Sequence, residues 1–179
     1  ITPRWHLYWH NPGDSGYPPT IEWSHPQGVS IDKPFWPYPK RIDYGEITSY
    51  GYDNDIILWQ KVDFNEFDST SKELHLTAQI KWLECKEICL PGKAEVALTL
   101  PIENISTADL LGEKLLGESQ QKWPAPDKNI SVYEDTLTFT IHIPLNNTTD
   151  PVQQSQFFPY RDDVIKHIAE QSLIKIPEA

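Results

Sequence analysis

Apolar and polar residues alternate in four stretches of the chain, which is the pattern of a strand with one buried face. The clearest is ELHLTAQIKW (73–82), in which an apolar residue occupies every second position. The same alternation is present in RWHLYWH (4–10), KAEVALTLP (93–101) and TLTFTIHIP (136–144). Turn-forming residues cluster between the stretches, at NPGDSG (11–16), YDND (52–55) and YED (133–135). Short strands at this spacing predict an antiparallel β-sandwich.

The alternation also assigns side chains to faces. RWHLYWH has Trp5, Leu7 and Trp9 on one face and His6, Tyr8 and His10 on the other. KAEVALTLP has an apolar face formed by Ala94, Val96, Leu98 and Leu100. The apolar face of each stretch, with Trp5, Leu7 and Trp9 in the first, is expected to contribute to a core.

One segment has a helical period instead. In STADLLGEKLLGESQQKW (106–123) the leucines recur at helical spacing, behind Ser106 or Thr107 as the cap. We therefore predict two immunoglobulin-like β modules joined by a short helix. The first module covers residues 1–101, the helical linker 102–125, and a second, shorter β module 126–179.

Composition narrows the class of partner. The 179 residues carry a formal net charge of −11, which disfavours nucleic acid and anionic membranes as partners, because both are bound through Lys and Arg. No apolar run reaches the roughly 18 to 20 residues that cross a bilayer, and the first ten residues lack the layout of a signal peptide. The chain contains no Met, so we expect a processed piece of a longer protein.

The only two cysteines, Cys85 and Cys89, lie in WLECKEICLPGKAEV (82–96), between two predicted strands. Residues four apart on a regular strand are about 13 Å apart at Cα, because each residue rises about 3.3 Å. A disulfide tolerates at most about 7 Å. A bridge therefore requires the chain to turn back within CKEIC. Its ring would be very small, so it would stabilise the fold little.

Three interpretations of the pair remain open. It is a structural disulfide at a hairpin tip, a pair that exchanges with a partner's thiols, or a pair of thiolate ligands for Cu(I) or zinc. The zinc signal is weak because CKEIC has no second Cys or His pair beside it. His6 and His10 are distant in sequence, and we interpret them as exposed or core histidines.

Local charge does not assign reactivity to either cysteine. Lys86 favours a thiolate, whereas Glu84 and Glu87 disfavour it.

Several stretches together resemble a known family. They are WHLYWHNPGDSGYPPTIEW (5–23), FWPYP (35–39), YGEITSYGY (44–52) and WLECKEICLPGKAEVALTLP (82–101). They look like the amino-terminal periplasmic region of the thiol:disulfide interchange protein DsbD and its relatives, including the ScsB type associated with copper tolerance. The resemblance covers residues 1 to about 101. Beyond it, WPAP and QFFPY resemble the second module of ScsB-like members.

The resemblance implies a function. A domain of this family lies in the periplasm, as part of an inner-membrane protein, and is an electron-relay domain of a protein-disulfide reductase. Electrons reach it from a thioredoxin-like domain, which receives them through the membrane domain of the same protein, and it reduces periplasmic disulfide proteins. The family's cysteine pair falls on Cys85 and Cys89, with Cys89 forming the mixed disulfide. No cofactor or metal is implied, and Cu(I) binding or a plain interaction sandwich remain the alternatives.

The family also covers its cysteines with an aromatic cap loop. By resemblance this loop matches ITSYGY (47–52), with Tyr50 and Tyr52 as shielding residues. Two features depart from the DsbD pattern. The cysteines have three residues between them instead of five, and the acidic residues of the cap loop are not recognisable.

Overall fold

The computed structural model describes residue 1 and residues 4–64, 70–102, 109–124, 130–144 and 155–174. Within these ranges the chain forms ten strands and one helix. The first seven strands are β1 (His6–Gly13), β2 (Thr20–Ser24), β3 (Ser30–Ile31), β4 (Lys40–Tyr44), β5 (Ile47–Tyr52), β6 (Val62–Asp63) and β7 (Glu73–Cys85). They are followed by β8 (Cys89–Pro101), the helix α1 (Leu110–Gln120), β9 (Ser131–Glu134) and β10 (Phe139–His142).

The main sheet has six antiparallel strands in the order β2-β7-β1-β5-β4, with β8 paired to β7. Strand β7 pairs with β8 along its whole length, and its other edge is shared by β2 and β1. A two-stranded sheet of β3 and β6 and a hairpin of β9 and β10 complete the described strands. The predicted all-β, immunoglobulin-like class is therefore confirmed.

A second layer covers one face of β7. Leu74 and Leu76, at alternate positions of β7, are buried together with Val29, and Ile31 of β3 and Val62 of β6 pack against them. The alternation in ELHLTAQIKW thus marks a core face, as predicted.

The apolar face of β8 differs from the prediction. Val96, Leu98 and Leu100 are 45%, 47% and 40% exposed. The reason is geometric, because β3 and β6 have two residues each and the cluster that they cover is centred on Leu74 and Leu76 of β7. Strand β8 lies beside β7 and pairs only with it among the described strands.

Strand β1 is buried on both faces. Tyr8 and Trp9 point to opposite faces of the sheet, yet both are 2% exposed. The strand lies between β7 and β5, and Trp9 forms a core cluster with Tyr50 and Tyr52 of β5. The alternation predicted from RWHLYWH therefore gives two buried faces instead of one.

The predicted helix is confirmed, but its cap differs. Asp109 is the N-cap, and its carboxylate accepts a hydrogen bond from the backbone N–H of Leu111 at 3.1 Å. Ser106 and Thr107 lie outside the described residues. None of the helices in the described ranges is long and apolar enough to cross a membrane.

Residues 155–174, which we placed in the second module, contact the core of the first. Phe158 packs edge-on against Trp9 and Tyr50, and Asn11 donates a hydrogen bond to the carbonyl of Pro159 at 2.8 Å. The module boundaries stay a prediction, and these contacts mean that the two parts share core residues.

Candidate functional site

The two cysteines close the tip of the β7–β8 hairpin. Cys85 ends β7, Cys89 begins β8, and the two are paired across the strands. Between them the chain reverses, and the N–H of Lys86 donates to the carbonyl of Ile88 at 3.0 Å. The cysteines form a disulfide with a Cα–Cα distance of 4.1 Å. The predicted turn within CKEIC is therefore confirmed.

The two cysteine residues differ in their exposure to solvent. Cys85 is 2% exposed, whereas Cys89 belongs to the exposed residues of the hairpin. Ile88 and Leu90, the neighbours of Cys89, are 63% and 49% exposed. Cys89 is therefore the accessible cysteine of the pair and lies between apolar side chains, whereas Cys85 is buried.

Three strands place one row of side chains across the sheet. Cys89 of β8 pairs with Cys85 of β7, and Cys85 pairs in turn with His6 of β1. Directly opposed residues of antiparallel strands share a face, with Cβ atoms about 4.5–5.5 Å apart. His6 therefore adjoins Cys85 on the side away from Cys89.

Tyr8 covers this row from the next position on the same face. Its hydroxyl lies 3.9 Å from the Sγ of Cys89, and because a disulfide sulfur carries no hydrogen, Tyr8 is the donor. Burial raises the pKa of Tyr8, while a hydrogen bond with Ser15 acts in the opposite direction. The ring of His6 meets that of Tyr8 edge-on, with centroids 5.2 Å apart.

The turn after β1 covers Tyr8. Gly16 has a φ of 89°, and a Cβ atom at this position would lie 2.1 Å from the Tyr8 ring. The turn is anchored to β5 because the N–H of Thr48 donates to the Asp14 carboxylate at 2.8 Å. The backbone N–H of Asp14 donates to the Thr48 carbonyl at 2.9 Å. Only glycine allows the turn to approach the aromatic ring so closely.

Tyr50 and Tyr52 have a different environment from the one predicted. The segment ITSYGY forms β5, a strand inside the sheet, and not a loop. The Tyr50 hydroxyl is 3.2 Å from Nδ1 of His167, and Tyr52 donates to the carbonyl of Pro37 at 2.7 Å. Burial raises the pKa of both tyrosines. Strand β1 separates them from the cysteine hairpin, so their shielding role stays a prediction.

The histidines of β1 differ in their surroundings. His10 lies between Trp9 and Tyr160, with ring centroids 3.9 Å and 4.2 Å away, which agrees with its interpretation as a packing residue. Burial lowers the pKa of both His6 and His10, so both imidazoles are neutral at neutral pH. Within the described ranges no group of three or more His, Cys, Asp or Glu side chains is arranged to hold a metal ion.

Sequence reasoning missed Tyr8, Ser15 and Gly16 as members of the site. Two signals were present. NPGDSG was identified as a turn directly after the strand, and the alternation placed Tyr8 on the face of His6. Neither signal shows which distant strand that face meets.

A comparison with known protein families assigns the chain to one of them. The sequence profile of the amino-terminal region of the thiol:disulfide interchange protein DsbD matches residues 1–101. The chain belongs to this family. The DsbD amino-terminal match ends with the last residue of β8, so it includes the whole main sheet and both cysteines.

Among solved structures, the N-terminal periplasmic domain of ScsB from Proteus mirabilis is similar. The TM-score is 0.51, and the sequences are 23% identical over 73% of this chain and 48% of the other. At this identity the likeness concerns the fold, and the chain spans about half the length of the ScsB structure. No curated protein matches the chain. The DsbD family assignment thus rests on the first 101 residues.

Proposed function

We propose that this chain is a periplasmic thiol–disulfide exchange domain of a transmembrane protein-disulfide reductase. Its Cys85–Cys89 pair passes electrons to disulfide proteins of the periplasm. The observation that carries the proposal is the asymmetry of the hairpin tip, where Cys89 is an exposed residue and Cys85 is 2% exposed. Membership of the DsbD amino-terminal family supports the same reaction class.

The exchange proceeds in two balanced steps. A thiolate of the electron donor attacks the Sγ of Cys89, the more exposed residue of the pair, the Cys85–Cys89 bond breaks, and Cys85 leaves as a thiolate that takes up a proton. The donor's second thiol then attacks the mixed disulfide and releases Cys89. Two electrons and two protons have moved from the donor to the domain. The reverse sequence, begun by Cys89, reduces the acceptor disulfide.

Tyr8 supports this exchange through its hydroxyl group. A donor within hydrogen-bonding reach of Cys89 favours the thiolate over the neutral thiol. Tyr8 is buried under the Gly16 turn, which holds its hydroxyl near the Cys89 sulfur in the disulfide form. The same ring limits the approach of small oxidants.

The proposed partners are thioredoxin-like proteins of the periplasm, one of them the donor domain of the parent membrane protein. Exposed Ile88 and Leu90 flank Cys89, and they offer an apolar contact for the surface around a partner's active-site cysteine. Tyr50 and Tyr52 contribute to shielding indirectly, because they pack against Trp9 and so fix the strand that carries Tyr8.

The test combines trapping with a redox titration. When the partner is a thioredoxin-like protein in its disulfide form, the Cys89 thiolate of Cys85→Ser attacks the partner's disulfide. A mixed disulfide is trapped and the partner's second sulfur is released as a thiol. Cys89→Ser traps far less because Cys85 is buried. An exchanging pair has a reduction potential of about −120 to −270 mV, and a structural disulfide lies below about −300 mV. A bond that resists stoichiometric reduction by such partners refutes the exchange function and favours the structural disulfide.

A Cu(I) titration of the reduced protein separates the remaining alternative. Two thiolates suit Cu(I). Tight one-to-one binding that is lost in Cys85→Ser, together with a pair that does not exchange, would identify a copper-binding module instead.

A further inference from the structure

His6 occupies a distinctive position beside the disulfide. It pairs with Cys85 across β1 and β7, on the side of Cys85 opposite to Cys89. Its side chain is half-buried, and its ring contacts the ring of Tyr8, which itself contacts Cys89. His6, the buried Cys85 and the exposed Cys89 therefore lie in one row on one face of the sheet.

Thiol–disulfide exchange requires a proton acceptor for the Cys85 thiol. Cys85 is 2% exposed, and a buried thiol ionises with difficulty because its charged form loses hydration. Only the thiolate attacks a disulfide. A half-buried imidazole can take a proton from the interior and pass it to solvent.

We propose that His6 is the acid–base group of Cys85. This inference rests on the proposed exchange function and adds a residue to it. In the step that releases the acceptor, Cys85 gives its proton to His6 and its Sγ forms a bond with the Sγ of Cys89. The bond between Cys89 and the acceptor sulfur breaks, and the electron pair leaves with the acceptor, which takes up a proton. When the disulfide is reduced, His6 returns a proton to the departing Cys85.

The charged groups around His6 leave it available for this role. On β1, the strand of His6, the titratable neighbour is Tyr8. On the hairpin side, Lys86 and Glu87 follow Cys85 in the turn. On the other side, Asp53 follows β5 and forms an ion pair with Lys40 at 2.6 Å. Glu84 pairs with Leu7, on the opposite face of the sheet. Among the described residues no carboxylate forms an ion pair with His6, and burial lowers its pKa, so the neutral ring keeps one nitrogen free to accept a proton.

A disulfide probe that releases a coloured aromatic thiolate tests the inference on the whole reduced chain. The first thiolate reports attack by Cys89, and the second reports resolution by Cys85. We expect His6→Gln to slow the second phase at least about tenfold at neutral pH, a modest effect for loss of a general base. The first phase should change less than about twofold. The wild-type second phase should rise with pH as His6 loses its proton, and His6→Gln should lack this rise.

His10→Gln is the matched control, because His10 lies on the same face of β1 but contacts Trp9 and Tyr160. It should leave both phases unchanged. An unaltered second phase and pH profile in His6→Gln overturns the inference. If the wild-type protein gives both phases but does not exchange with thioredoxin-like partners, the proposed function fails while the role of His6 stands.

A measurement on the wild-type protein covers the case in which His6→Gln does not fold. The NMR titration of the His6 ring should shift between the disulfide and dithiol forms, because the ring then adjoins a thiol. Identical titrations in the two forms contradict the inference, whatever the variant does.

Discussion

The hydroxyl of Tyr8 lies 3.9 Å from the Sγ of Cys89, although 81 residues separate them in the chain. This contact joins the first strand of the sheet to the tip of the β7–β8 hairpin. Because β1 also carries His6, which pairs with Cys85, one strand places a hydroxyl near the Cys89 sulfur and a histidine directly opposite Cys85. Strand β1 is therefore as much a part of the site as the hairpin that contains the cysteines.

Tyr8→Phe should make Cys89 a weaker nucleophile. The substitution keeps the ring but removes the hydrogen bond to sulfur, a loss of about 1 kcal/mol, or roughly fivefold in thiolate population. We expect alkylation of Cys89 in reduced Cys85→Ser protein to slow by about that factor. The reduction potential should become more negative, because the reduced form loses a favourable contact.

Tyr17→Phe is the control for this substitution, since Tyr17 is 74% exposed. Equal alkylation rates in Tyr8→Phe and the wild-type protein would mean that the hydroxyl does not act on the sulfur.

Gly16→Ala should disturb the cover over Tyr8. A Cβ atom there would lie 2.1 Å from the ring, and the residue has a φ of 89°. We expect a loss of about 2–4 kcal/mol in the free energy of unfolding, from left-handed strain and overpacking together. The reduced thiols should also be alkylated faster, because the turn is pushed away from Tyr8.

Gly45→Ala separates the two causes of this loss. Gly45 has a φ of 62°, but a Cβ there would meet nothing within 4 Å, so only the strain of about 1–2 kcal/mol applies. Urea unfolding measures the free energy of unfolding of each variant, and alkylation measures how accessible its reduced thiols are. Equal effects at positions 16 and 45 would show that contact with Tyr8 does not matter.

The alternating stretches predicted the hairpin and its cysteine tip, because register and turn are local properties of Glu73–Pro101. The same patterns do not reveal the distant strand that meets each face, which is why Tyr8 was missed. The family resemblance places a cap loop at ITSYGY, whereas the segment forms β5. Because β5 is buried on both faces, its residues show no alternation of period two that would have indicated a strand. The apolar face of β8 was assigned to the core, although nothing in the residues themselves distinguishes an edge strand from an interior one.

The shielding role of Tyr50 and Tyr52 can be tested apart from their part in the core. Tyr52→Phe removes only the buried hydrogen bond to Pro37 and should cost about 1–2 kcal/mol. Tyr50→Ala and Tyr52→Ala should each cost about 3–5 kcal/mol, like other large truncations in a core. If the tyrosines shield the cysteines, alkylation of the reduced thiols will accelerate more than the lost stability explains.

Hydrogen exchange measures the global unfolding equilibrium, and so it distinguishes shielding of the cysteines from a contribution to core stability. Alkylation that follows only the global unfolding equilibrium in every variant would assign Tyr50 and Tyr52 to the core and remove them from the cap.

Asp43 links the pH dependence of stability to the packing of residues 155–174. The hydroxyl of Thr48 donates to its carboxylate at 2.6 Å and holds the pKa of Asp43 below its ordinary value, and Arg41 acts in the same direction. Arg41 also donates to the carbonyls of Ile168 and Ala169 at 3.3 Å and 3.1 Å. The carboxylate therefore orients an arginine that fastens this segment to β4.

Because the folded state lowers this pKa, the stabilisation is fully present above the unfolded value near 3.9 and is lost as the pH falls through the lower folded value. The Asp43 side chain is 53% exposed, so the contribution is below about 1 kcal/mol. Asp43→Asn should remove this acid dependence and increase amide exchange in residues 166–169 at neutral pH. Asp163→Asn, which breaks a comparable exposed pair with Arg161, should leave that exchange unchanged. Equal exchange in the Asp43 and Asp163 variants would mean that Arg41 holds the segment without help from the carboxylate.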